Sequence, residues 1–275
     1  MSGFRGSVPI TNDWQHFRFA VVDRVATVTL DRPEKMNPLT FESYADLRDL
    51  LHELPSRGDT DVLVIRGEGR GFCGGGDVNE IIGELLTMDP RDLIGFTRMT
   101  GDVIKAMREC PIPIISGIQG IAAGAGSVIA IASDFRVCST SARFAFLFTK
   151  VGLSGGDMGA AYLLPRLIGV GRATELLMLG DTIDASTAEG YGLVSQLVGD
   201  DELDAAVSAL ARRLADGPTL AYAQTKSLIT RELDMPLGAA MELDAMTQAL
   251  LMTTSDHAEF HAAFNAKRPP EWTGR

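Results

Sequence analysis

Apolar residues fall into short runs over the first two-thirds of the chain and settle into helical spacing in the last third. Positions 17–22 and 25–30 alternate or run apolar around Asp23-Arg24, which predicts a β-hairpin. A loop rich in turn residues follows over 31–38. Thr40 is then placed to cap a helix through about Leu54, with Phe41, Tyr44, Leu47, Leu50 and Leu51 at helical spacing. The run 61–66 reads as a short strand emptying into a glycine-rich turn over 67–77, with a less regular helical stretch over 78–86 beyond it. A helix over 92–110 is ended by Pro111 and Pro113.

A second strand, 114–116, runs through Gly117, Gly120, Gly124 and Gly126 and resumes as an Ala/Ile/Val helix with almost no charge before Asp134. Positions 135–138 and 194–198 read as further strands. Between them lie helices over 159–168 and 172–179 and a short helix capped by Ser186. Helices over 201–215, 219–231 and 237–266 close the chain. The pattern is α/β, with a strand-bearing core over 1–200 and a helical region over 201–275.

Composition narrows the class. With 275 residues, 45% hydrophobic and 22% charged, the chain has ample material for a buried core. A formal net charge of −11 leaves no basic surplus for nucleic acid, although a small anionic ligand needs only local donors. No apolar run reaches membrane-spanning length, and the first ten residues lack the apolar core of a signal peptide. Cys73, Cys110 and Cys138 show no CxxC spacing, so neither a disulfide framework nor a zinc site is expected, and a cytoplasmic setting fits best. His257 and His261 flank Glu259 without forming HExxH and read as a solvated helix face.

The chemistry is carried by the two glycine-rich turns, roughly 45 residues apart. Each follows an apolar strand and precedes a helix, so each aims free backbone N–H groups at one point. Such a point stabilises negative charge, on a phosphate or on a carbonyl oxygen becoming an oxyanion. Two matched turns suggest stacked copies of one structural unit. The run 67–72 after a strand lacks the GxGxxG spacing of a dinucleotide fold.

The segments DRPEKMNPLT (31–40), GRGFCGGGDV (69–78), IQGIAAGAG (118–126), VGLSGGDMGAAYLLPRLIG (151–169), GYGLV (190–194) and FNAKRPPEW (264–272) follow one another across most of the chain. In these segments the sequence resembles the crotonase superfamily, the enoyl-CoA hydratase/isomerase proteins. The resemblance implies a spiral of ββα units with a C-terminal helical region used in trimer formation, as a homotrimer or a dimer of trimers. It implies an acyl-CoA thioester as substrate, with coenzyme A arriving as part of that thioester and no separate cofactor. The N–H groups of Gly76 and Ala125 are expected to form the oxyanion hole, with Gly74, Gly75, Asp77, Gly124 and Phe148 around the thioester and Lys35 and Met36 along the coenzyme A groove. Lys267, in the basic tail, resembles the segment that approaches the nucleotide of a neighbouring subunit.

The chain departs from the hydratase pattern at two positions. Hydratases of this superfamily carry two glutamates that handle water and the proton; here Val128 and Phe148 stand in their places. One carboxylate remains nearby, Asp157, at a position resembling the aspartate of dienoyl-CoA isomerases. At the start of a helix, dipole and free N–H groups would favour its charged form, while an apolar lining would oppose it. Asp77 reads as a helix cap, and Cys73 has no histidine partner suggested by the sequence. The expectation is isomerase, C–C lyase or hydrolase chemistry with Asp157 as single acid/base. The alternative is a non-catalytic acyl-CoA-binding homologue that kept the hole after losing both glutamates.

Overall fold

Asp23 and Arg24 both take positive φ, 47° and 67°, and this tight turn folds the first apolar run back on the second. The computed structural model describes residues 10–274, so most of the leader read for a signal peptide lies outside the described residues. In chain order the strands are β1 (Arg18–Val22), β2 (Val25–Leu30), β3 (Val62–Gly67), β4 (Ile114–Ile118), β5 (Ile121–Ala123), β6 (Phe135–Ser139), β7 (Arg143–Ala145), β8 (Thr182–Asp184) and β9 (Gln196–Val198). The helices are α1 (Phe41–Arg57), the single turn α2 (Gly83–Leu85), α3 (Pro90–Glu109), α4 (Ala125–Ala132), α5 (Ala160–Ile168), α6 (Val170–Leu179), α7 (Ala185–Gly190), α8 (Leu203–Ala215), α9 (Thr219–Glu232), α10 (Leu237–Leu251) and α11 (Ser255–Ala266).

The strands form two sheets. The larger has the order β1-β2-β3-β4-β6-β9, antiparallel at its first pair and parallel thereafter. The smaller has the order β5-β7-β8, parallel and then antiparallel. The pairs β4–β5 and β6–β7 each send one strand to each sheet, which makes the spiral of ββ turns and helices. β3 and β4 are buried almost throughout, as parallel strands covered on both faces must be. One face packs into the main core with α1, α3 and α4; α4 is buried at every residue, which explains its lack of charge. On the other face Val62, Val64, Ile115 and Val137 meet Leu203, Val207, Ala211 and Leu214 of α8. Residues beyond 200 therefore complete the core before the helical region begins in earnest.

The smaller sheet was not read from the sequence, because three-residue strands carry no periodicity of their own. Three boundaries also move. The cap of α7 is Asp184, whose Oδ1 accepts the Thr187 N–H at 2.8 Å, with Ser186 inside the helix. Helix α3 starts at Pro90 with Asp89 as its cap. The expected helix over 237–266 breaks into α10 and α11, where the Thr254 side chain caps a new start.

Candidate functional site

The two glycine-rich turns lie against each other. The N–H groups of Phe72 and Cys73 donate to Ile121 O at 3.1 and 3.0 Å, and the Ala123 N–H donates to Cys73 O at 2.9 Å. Backbone contact this close leaves no room for side chains. A Cβ on Gly126 would stand 2.3 Å from Cys73 O and 2.7 Å from Cys73 Cβ. Gly75 has φ +99°, and a Cβ there would lie 3.0 Å from Ala123 O and 3.6 Å from the Ala125 nitrogen. The first turn is thus held within reach of the start of α4.

The consequence is a pair of free donors. Ala125 is the first residue of α4, where an N–H has no partner within the helix. Among the described residues neither its N–H nor that of Gly76 finds a backbone acceptor. Gly76 and Gly124 are half-buried and Ala125 is buried, so the donors face a recess rather than open solvent.

The first loop locks the outer turn in place. Gly74 N–H donates to Met36 O at 2.7 Å, Leu39 N–H to Gly75 O at 2.8 Å, and Asp77 N–H to Leu39 O at 2.8 Å. Met36 and Asn37 take left-handed conformations to allow this. The buried Asn37 amide donates to Glu68 O at 2.9 Å and Gly71 O at 2.8 Å, and its Oδ1 accepts the Arg32 N–H at 2.9 Å. Sequence reading missed Asn37; an asparagine before proline in a turn-rich loop was its only signal. Lys35 projects outward at the rim, 3.8 Å from the Asp77 carboxylate.

Asp77 is turned into the fold. Its Oδ1 accepts the Asn79 and Glu80 N–H groups, and its Oδ2 lies 3.0 Å from Arg32 Nη2. Burial opposes its charge, but the Glu80 and Asn79 N–H groups, Lys35 and Arg32 together hold the carboxyl below the usual carboxylate range. The helix-cap role read from the sequence is thus the one the structure shows, with Asp77 capping the Val78–Ile82 turn. Cys73 is fully buried, and burial pushes its thiol up to about 12, so it supplies no thiolate.

Asp157 differs from what its neighbours in sequence suggest. It opens a 3-10 turn over Asp157–Gly159, and Met158, at φ 50°, breaks that turn from α5. The cap residue of α5 is Gly159, so Asp157 does not serve as that helix's N-cap. The Asp157 carboxylate accepts one hydrogen bond, from the Met158 N–H at 2.9 Å. Burial dominates over that bond and raises its pKa above the ordinary carboxylate value. A half-buried carboxylate with a raised pKa is suited to taking a proton and giving it back.

Other predicted residues are apolar or remote. Val128 is fully buried and Phe148 is 8% exposed, so hydrocarbon fills both positions where the resemblance places hydratase glutamates. Two further acids, Glu84 and Asp89, are exposed, Asp89 as the α3 cap. Lys267 ends α11 in a left-handed conformation and is exposed. His257 and His261 are exposed, and no cluster of metal-binding side chains occurs among the described residues.

Tyr44 entered the sequence reading only as a core position of α1. A Cβ built on Gly76 would lie 3.7 Å from its hydroxyl oxygen, so the phenol borders the recess. Burial, with Cys73 and Asp157 nearby, drives its ionisation well upward and keeps it a neutral donor.

The enoyl-CoA hydratase/isomerase family model matches residues 21–275. The chain is 34% identical over 258 residues to a Rhodobacter capsulatus protein named for enoyl-CoA hydratase activity, covering 94% of this chain and 98% of that one. It is equally, 34%, identical over 251 residues to the 1,2-epoxyphenylacetyl-CoA isomerase of Escherichia coli K12, covering 91% and 95%. A crystal structure from Streptomyces coelicolor A3(2), titled for enoyl-CoA hydratase, superposes with a TM-score of 0.97 at 64% identity over the full length of both chains.

Proposed function

The chain belongs to the enoyl-CoA hydratase/isomerase family, and from that premise we propose that it binds an acyl-CoA thioester with the carbonyl oxygen on the N–H groups of Gly76 and Ala125. Enolate formation shifts negative charge onto that oxygen. Two fixed donors stabilise it, each by roughly 3 kcal/mol. Asp157 is the single acid/base: its carboxylate accepts a proton from one substrate carbon and its carboxyl returns it to another. Lys35 and Met36 line the coenzyme A groove, with Gly74, Gly75, Gly124 and Phe148 around the thioester. Lys267 serves the nucleotide end of a neighbouring copy.

What supports this reading is that the chain offers two free backbone donors and one carboxylate of raised pKa, with hydrocarbon at both positions where the resemblance places hydratase glutamates. Adding water across a double bond needs groups to activate the water and to deliver the proton; one carboxylate suits moving a proton between carbons. Isomerase chemistry is favoured; C–C lyase chemistry shares the same enolate, and hydrolase chemistry would set the same two donors against a tetrahedral oxyanion. Incubating the protein with enoyl-CoA thioesters in deuterium oxide and reading products by mass spectrometry tests this. Deuterium should enter beside the thioester with little addition of water. Hydration as fast as exchange would overturn the isomerase reading. Thioester binding without exchange or turnover would leave a non-catalytic binder.

The helical region is proposed to pack against other copies as a trimer or a dimer of trimers. Leu237, Met241, Met246 and Leu250 of α10, with Phe260 and Phe264 of α11, are all at least half exposed, a concentration of apolar surface that association would cover. Light scattering should give three or six times the 29.5 kDa chain mass. A monomer at micromolar concentration would contradict it.

A further inference from the structure

Tyr44 has a hydroxyl whose place in the molecule the catalytic reading leaves unexplained. The residue is 3% exposed. Its ring is held by the edge of Phe96, centroids 6.1 Å apart at 80°, and Phe96 is in turn wedged against Phe41 at 5.0 Å and 77°. The ring therefore has little freedom to swing away. Its hydroxyl oxygen lies 3.7 Å from where a Gly76 side chain would begin, and Ile81 Cδ1 lies 3.5 Å from the same point. Among the described residues, no group makes a hydrogen bond with this hydroxyl.

The ring is enclosed but the oxygen is not: it is absent from the fully buried unpaired side-chain atoms among the described residues, so it reaches solvent from the recess, and a ligand that covers it must replace that bond to water. Once a ligand displaces that water, two ways of pairing remain. The hydroxyl could turn to Asp157 in a rearranged site, or it could bond to something that enters the recess. The fixed ring and the absence of any bond to Asp157 favour the second. We propose that the Tyr44 hydroxyl donates a hydrogen bond to an oxygen on the substrate's acyl chain, and that it selects oxygenated acyl groups over plain hydrocarbon ones.

The proposal rests on the thioester reading, since Gly76 fixes where the acyl chain begins. A hydroxyl beside Gly76 reaches only the first few carbons beyond the carbonyl, so the oxygen should sit on C2, C3 or C4. A hydrocarbon chain entering the same recess would leave the phenol unpaired. A site built to hydrogen-bond a substrate oxygen rejects the analogue that lacks it. The tyrosine is thus a specificity residue, separate from the proton-moving role assigned to Asp157.

Calorimetry on the full-length protein tests the idea with four non-reacting or slowly reacting probes: butyryl-CoA and its 2-, 3- and 4-hydroxy derivatives. The parent should bind at least one hydroxybutyryl-CoA about ten-fold more tightly than butyryl-CoA. Tyr44→Phe should erase that preference while leaving butyryl-CoA affinity unchanged or slightly improved. Equal binding of all four thioesters by the parent would overturn the specificity role and leave the thioester reading standing. Absence of binding by any thioester would overturn both. If Tyr44→Phe kept the preference, or instead moved only the acid limb of the pH–rate profile, the hydroxyl would serve Asp157 and the proposal would fall. A melting temperature near the parent's confirms that the variant is folded, and Tyr44→Leu, also losing the preference, guards against an effect peculiar to Phe.

Discussion

Replacing Asp157 with asparagine should lower kcat by about a hundred- to ten-thousand-fold, the range for loss of a positioned acid/base, while leaving thioester affinity within a few-fold. Asparagine keeps the shape of the side chain and its acceptor toward the Met158 N–H, and removes only the capacity to carry a proton. The pH dependence should change in step. Burial raises the Asp157 pKa, so the charged form needed to accept a proton is reached only above the ordinary carboxylate value of about 3.9. The parent's rate should climb through that raised value as pH rises, and the variant should lose this limb.

Stability supplies the control. A carboxyl with a raised folded pKa contributes stability that is fully present below its unfolded value and is lost as pH rises through the folded one. At neutral pH the charged form is therefore a cost, and Asp157→Asn should melt at the same temperature as the parent or above it. An inactive variant that melts much lower would point to a structural role. A fully active one would remove Asp157 from the mechanism.

The second large effect is expected where no side chain touches the recess. Gly126→Ala places a methyl group 2.3 Å from Cys73 O and 2.7 Å from Cys73 Cβ. Both atoms belong to a fully buried residue that hydrogen-bonds the neighbouring strand, so they cannot step aside alone. Overpacking of this kind costs about 2 kcal/mol, a fall in Tm of roughly 4–8 °C. The larger consequence is catalytic. Cys73 leads directly into Gly74–Gly75–Gly76, and a shift of that turn moves one donor of the pair away from the other. Loss of one such donor lowers kcat by about a hundred- to a thousand-fold. Gly171→Ala is the matching control: nothing lies within 4 Å of that Cβ, and the residue is in α6. There Tm should hold or rise slightly, since alanine is the better helix former, and kcat should be unchanged. Equal activity of the two variants would show that the turns need not stay in register.

Much of this was legible in the residues. Thr40 announced its helix, and the structure adds the reciprocal bond that completes the cap, Thr40 N–H donating to Ser43 Oγ. The strands β3 and β4 and the uncharged α4 could be read because burial on both faces demands unbroken apolar runs, and the hairpin because two apolar runs flank a two-residue turn. The ordered motifs carried the family. What stayed hidden depends on contacts between segments far apart in the chain. The β5-β7-β8 sheet is invisible because each strand is stabilised by its partners rather than by a pattern of its own. Asn37 looked like one more turn residue until folding brought the carbonyls of Glu68 and Gly71 to its amide.

The same division runs through the site. Local sequence determined that two strand–glycine–helix units exist, that each would leave N–H groups free, and that Val128 and Phe148 bring hydrocarbon to the two positions where the resemblance places hydratase glutamates. Those are properties of a residue and its immediate neighbours. Only the tertiary structure decided that Asp157 stands off the helix it seemed to begin, because Met158 takes a left-handed turn, and that burial then outweighs its one hydrogen bond. Only the tertiary structure placed the Tyr44 hydroxyl beside Gly76. A donor's freedom is set by its own stretch of backbone, whereas a pKa and a pocket wall are set by whatever the rest of the chain packs around them.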